Sequence, residues 1–153
     1  MPRNQQDKYI LDYLWILERR SGNCVFQHDF NPDTEEIKYP LDIISSFFTA
    51  FSSLVDTIYS DKIKKIHFQG FRFYFKATKK FVFITNIKDN KKLSDSKIDK
   101  LLLKIIEKFS QRFQQKNDFL NDFSDNSDYY NFIDTLEELV RNNHSSVHFL
   151  HIF

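Results

Sequence analysis

Two glycines, three prolines and one cysteine in 153 residues set the first limits on this chain. With only Gly22 and Gly70 available, neither a phosphate-cradling loop nor a glycine-rich dinucleotide turn can be written anywhere in it. The single thiol, Cys24, excludes an intrachain disulfide and a zinc site built on several thiolates, and it suits a reducing compartment. Cys24 itself reads as a small buried residue on a strand. There is no HExxH, no GxSxG and no paired-thiol motif. Neither enzymatic chemistry nor a cofactor is therefore expected. Lys plus Arg (22) nearly equals Asp plus Glu (21), so no global field steers the chain toward nucleic acid or an anionic surface. No apolar run approaches the roughly 20 residues that span a bilayer, and the polar start MPRNQQDKY lacks the apolar core of a secretion signal. The expectation is a cytoplasmic protein without direct membrane insertion, whose recruitment to membranes, where it occurs, passes through partners.

What the chain does have is large apolar side chains. Eighteen Phe and a hydrophobic share of 41% are enough, at this length, for one domain with an aromatic core. Residues 9–18 (YILDYLWILE) are apolar on both parities and end before Ser21-Gly22-Asn23, which predicts a strand covered on both faces. A helix competes there, because Leu11, Leu14 and Trp15 also fit a helical stripe. A second short strand, Cys24 to Phe30, makes a hairpin with the first, and Asn31 to Lys38 reads as a loop. Pro40 then opens a predicted helix in which Ile43, Ile44, Phe47, Phe48, Phe51, Leu54, Val55, Ile58 and Tyr59 recur at spacings of three and four.

Three strands follow, Ile63 to Phe68, Phe71 to Thr78 and Phe81 to Lys88, with connections short enough to force antiparallel neighbours. In the middle one Phe71, Phe73 and Phe75 alternate with Arg72, Tyr74 and Lys76, so one face is apolar and the other mixed. Ser94 or Ser96 can cap a second helix with Ile98, Leu101, Leu102, Ile105, Ile106, Phe109 and Phe113 on one stripe. A third is predicted over Ser127 to Asn142. The sum is an α+β fold: a five-stranded antiparallel sheet with one helix on one face and two on the other, in the order β-β-α-β-β-β-α-α. The domain spans 1–143, and 144–153 is an apolar tail.

This order, the opening hairpin LWILERRSGNCVFQHDF, the helix FFTAFSSLVDTIYS and the strand FVFITNI before a long helix resemble the longin (SNARE-like) domain over about residues 8–142. The resemblance implies a stand-alone or subunit-type longin: a protein-binding module that works near small GTPases or in vesicle traffic. Longin SNAREs differ from it, since nothing after residue 142 matches a SNARE coiled coil. Roadblock domains look similar and share a GTPase-scaffold role, but they place a helix before the first hairpin, where Met1 to Lys8 is too short for one.

One surface signal owes nothing to the family. At about 100° per residue, the side of the 40–59 helix opposite its apolar stripe carries Ser45, Ser46, Thr49, Ser52, Ser53, Asp56 and Thr57. A solvated helix face usually carries Lys and Glu; small Ser and Thr side chains forgo that and allow another backbone to approach. Ser45, Ser46, Thr49, Ser52, Ser53 and Asp56 are thus the candidate partner-binding residues, against the plainer reading of a merely polar face. The partner expected is a second copy, another longin or roadblock chain, or a small GTPase, giving a dimer.

The histidines point to less. His144, His148 and His151 have helical spacing for a metal, but no carboxylate or thiolate completes a first shell, so no metal is expected. His28 and His67 read as packing or surface residues. The basic clusters Lys62/Lys64/Lys65, Lys79/Lys80 and Lys88/Lys91/Lys92 fall at strand ends, where Lys guards sheet edges, and nucleic acid is not the expected partner. The reading from another class is a small-molecule sensor of PAS or profilin-like type with an aromatic-lined pocket.

Overall fold

Both glycines stand where the chain reverses, with φ of 77° at Gly22 and 87° at Gly70, a region that L side chains rarely adopt. They close two of the hairpins of a five-stranded antiparallel sheet. In the computed structural model residues 8–31, 64–68, 70–89, 92–113 and 126–141 are described. The strands are β1 (Tyr13–Glu18), β2 (Cys24–Asp29), β3 (Lys64–Phe68), β4 (Phe71–Ala77) and β5 (Phe81–Lys88), and they lie in the order β2-β1-β5-β4-β3. Two helices follow, α1 (Asp95–Phe113) and α2 (Asn126–Val140). The helix predicted over 40–59 and the tail 144–153 lie outside the described residues.

Strands β1 and β5, apolar on both parities, are adjacent inner strands, matched from Tyr13↔Asn86 to Glu18↔Phe81. Their alternate side chains feed two separate cores. Leu14, Ile16, Phe26, Tyr74, Phe83 and Ile87 pack with Ile98, Leu101, Leu102, Ile105 and Phe109 of α1 and with Phe132, Leu136 and Val140 of α2. Both helices therefore lie on one face of the sheet. Trp15, Leu17, Phe73, Phe75, Val82 and Ile84 form a second buried cluster on the opposite face. Covering on both sides is what strands without a polar parity require.

The helix starts follow from local chemistry. The Ser94 side chain accepts from the Lys97 amide at 3.2 Å and its carbonyl accepts from Ile98 N at 3.1 Å, so of the two serines Ser94 is the cap. Acidic Asp95 in the first turn and basic Arg112 in the last suit the helix dipole.

Three expectations need correction. The strand predicted over 9–18 is regular only from Tyr13, because the backbone of the preceding residues is satisfied elsewhere. Ile10 N donates to Val140 O at 2.8 Å, Tyr9 forms an isolated bridge with Arg141, and the Asn31 amide donates to Leu11 O at 3.3 Å. For the same reason α2 ends at Val140 and does not run to Asn142: its next residue is already paired with Tyr9. Cys24 is on a strand but exposed, since β2 is the last strand on its side among the described residues and Cys24 is its first residue.

Candidate functional site

Ser45, Ser46, Thr49, Ser52, Ser53 and Asp56, the residues singled out for partner binding, lie outside the described residues. What the described residues supply is a sheet whose β3 begins shortly after the 40–59 segment in the chain, and a second sheet face rich in aromatic rings. Among the described residues β3 is the last strand on its side. Its Lys65 and His67 are exposed, Lys65 pairing with Asp95 at 3.0 Å and His67 with Asp89 at 2.7 Å.

On the second face Tyr13 stacks on Trp15 with ring centroids 5.1 Å apart, and Trp15 stacks on Phe73 at 6.2 Å. Residues i and i+2 on β1 share a face, which is why Tyr13 and Trp15 meet, and pairing through β5 brings β4 close enough for Phe73 to extend the row. Among the described residues this cluster is made of strand side chains alone, with no helix packed on it.

The most connected polar group sits where α1 meets β4. Arg72, Tyr74 and Lys76 share the parity that faces α1, and Asp95 and Asp99 share one side of that helix at i and i+4. The buried Tyr74 hydroxyl donates to Asp95 Oδ1 at 2.7 Å and accepts from Arg72 Nη1 at 3.0 Å. Arg72 also donates to Leu93 O at 3.2 Å and lies 3.4 Å from Asp89, while Lys76 reaches Asp99 at 3.0 Å. Burial, then the hydrogen bond to Asp95, push the Tyr74 phenol up to about 12. The Tyr74 hydroxyl, then Lys65, hold the Asp95 carboxyl below the usual carboxylate range. These groups neutralise one another, and the arrangement fixes the start of α1 on the sheet. Sequence reading saw the mixed face of the strand but not its partners; the available signal was the pair Asp95 and Asp99 at helical spacing.

The remaining reactive side chains are separately engaged. Cys24 is exposed as a residue but its Sγ donates to Phe26 O at 3.2 Å, and partial burial of the sulfur pushes the thiol up, which disfavours the nucleophilic thiolate. His28 lies edge-on to Phe30 at 4.7 Å and 3.1 Å from Glu137 of α2, so it joins packing to a contact between β2 and α2. No group of three or more metal-binding side chains occurs among the described residues, where no helix is long and apolar enough to cross a membrane either. The His144, His148 and His151 set lies outside them.

No protein-family model matches the sequence, and no curated protein matches it. Among solved structures the chain is similar to "MglB with tetrameric arrangement", with a TM-score of 0.46 and 10% identity, over 61% of this chain and 71% of that one. It is also similar to MglC from Myxococcus xanthus, with a TM-score of 0.42 and 6% identity, over 61% of this chain and 80% of that one.

Proposed function

We propose that this chain is a non-enzymatic protein-interaction scaffold of longin type, which pairs with itself or with another longin or roadblock chain and acts with small GTPases or in vesicle traffic. The observation that carries the proposal is the run of Ser and Thr at Ser45, Ser46, Thr49, Ser52, Ser53 and Asp56, which the sequence puts on one face of a predicted helix shortly before β3, the last strand on its side of the described sheet. A face of small side chains lets another backbone come close, and a terminal strand offers hydrogen-bonding groups for a sheet continued into a partner. The absence of glycine-rich loops from the sequence gives the scaffold no nucleotide chemistry of its own, so any GTPase is a partner.

The test is light scattering on a size-exclusion column over a range of concentrations, with the protein alone and mixed with candidate small GTPases. A dimer, or a mass shift with a GTPase, is the expected result, and Thr49→Arg or Ser53→Arg should abolish it while the melting temperature stays within a few degrees. A monomer at every concentration, with partners indifferent to both substitutions, would remove this interface. A melting temperature that rises with a small molecule in place of a mass change would point to the sensor class.

A further inference from the structure

A net charge of +1 conceals how unevenly the charge is laid out. At the end of the sheet where α1 begins, Lys65 is matched to Asp95 and Arg72 to Asp89, both within 3.4 Å, and further along β4 Lys76 is matched to Asp99 at 3.0 Å. At the opposite end the β1–β2 and β4–β5 turns lie side by side. Arg19 N donates to Lys80 O at 2.8 Å and Arg19 Nη1 to Thr78 O at 3.0 Å, so one arginine joins the two turns. The joined turns carry Arg19, Arg20, Lys79 and Lys80 against one carboxylate, Glu18, which accepts from the Ser21 hydroxyl at 2.6 Å. Arg20, Lys79 and Lys80 are exposed, and no carboxylate among the described residues pairs with them.

We infer that this joined pair of turns is a membrane-surface contact, a cationic tip that takes the anionic lipid headgroups of a bilayer. Three observations select a lipid surface over other polyanions. The tip is a row of turns across four adjacent strands, about 15 Å wide at the usual strand spacing, a breadth over which several headgroups can be met at once. Within the turns Gly22 N donates to Glu18 O at 2.8 Å and Thr78 N to Phe81 O at 2.7 Å, so these groups are closed to an extended acidic peptide. Phe81, the aromatic residue beside the tip, packs inward on Phe109 at 5.1 Å and is not available to stack on a base. With no exposed apolar side chain in either turn, the contact is electrostatic and superficial, without insertion. Each cation near an anionic leaflet strengthens binding roughly fivefold.

The test is sedimentation of the full chain with vesicles of phosphatidylcholine alone or mixed with phosphatidylserine. Binding is expected only to the mixed vesicles, and it should vanish when the Debye length is shortened from about 10 Å to about 3 Å with salt. Lys79→Glu with Lys80→Glu should lower the partition at least about tenfold. Lys92→Glu with Lys100→Glu, an equal change of charge at exposed sites away from the tip, should leave most of it. All of these sites are exposed, and circular dichroism checks that both variants are folded. Equal losses from the two variants, no preference for phosphatidylserine, or binding to duplex DNA in place of vesicles would each overturn the assignment.

Discussion

Tyr74 joins the sheet to α1 through one hydroxyl, and its titration predicts how the fold responds to pH at both extremes. In the folded protein the phenol is held up to about 12 from an ordinary value of 10.0, chiefly by burial. The folded state therefore keeps a proton that the unfolded chain releases first, so this contribution is whole below pH 10.0 and is lost as the pH rises toward about 12. Asp95 acts in the opposite sense. Its lowered value adds stability above the ordinary carboxylate value of 3.8, and that stability is lost as the pH falls through the folded value. Half of the Asp95 side chain is exposed, so solvent screens its share. Tyr74→Phe should cost about 1–2 kcal/mol near neutral pH. Subtracting urea-unfolding free energies of the variant from those of the parent across pH should show the difference shrinking from pH 10.0 upward. A difference that stays constant there would mean the hydroxyl is not protonated and donating as drawn. The alternation of Arg72, Tyr74 and Lys76 made the mixed parity of β4 legible in the sequence. Asp95 and Asp99 at helical spacing were visible too, but which strand residues they meet was not, because a contact spanning 21 residues leaves no local trace.

The helices are held by rings. Phe109 of α1 meets Phe81 at 5.1 Å, Phe83 at 5.4 Å, Phe113 at 5.1 Å and Phe132 of α2 at 5.6 Å, and Phe132 also meets Phe26 of β2 at 5.1 Å. One ring thus contacts two helices and a central strand, and truncating it opens a cavity under both helices. Phe109→Ala should cost about 3–5 kcal/mol, and Phe132→Ala a similar amount. Because the two rings touch, the double variant should lose clearly less than the sum in a denaturant-unfolding cycle. Full additivity would place α1 and α2 on independent parts of the core. Elements with an unbroken period were read well: β5 has the predicted bounds, and β4 differs by one residue at its end. The misreadings fell where an apolar residue serves something other than its own element. Tyr9, Ile10 and Leu11 are buried like strand residues, yet their backbone pairs with the end of α2 and with Asn31, a tertiary choice that hydrophobic pattern does not record. Cys24 was misread for a related reason: burial on a strand depends on whether the strand is terminal, and strand order is a property of the whole sheet. The candidate partner face on 40–59 rests on helical spacing and residue type in the sequence.

At the scale of the molecule, one sheet separates two cores that share their strands. Leu14 and Ile16 point to the α1 and α2 side while Trp15 and Leu17, alternating with them, point to the other, so neither core can dissolve without loosening the strand that builds both. Close-packed faces on a common sheet favour a single cooperative transition. Trp15 is the chain's one tryptophan, and it sits 2% exposed between Tyr13 and Phe73, on the face opposite α1 and α2. Its fluorescence reports the second core, while far-ultraviolet circular dichroism is weighted toward helix. Urea-unfolding curves from the two probes should superimpose, with equal midpoints and equal slopes. Phe109→Ala, which acts on the first core, should shift both curves together even though Trp15 is not among its ring contacts. If the Trp15 curve instead kept its midpoint while the helical signal moved, the two faces would be separate folding units. The sheet would then be a platform that outlasts the helices packed on it.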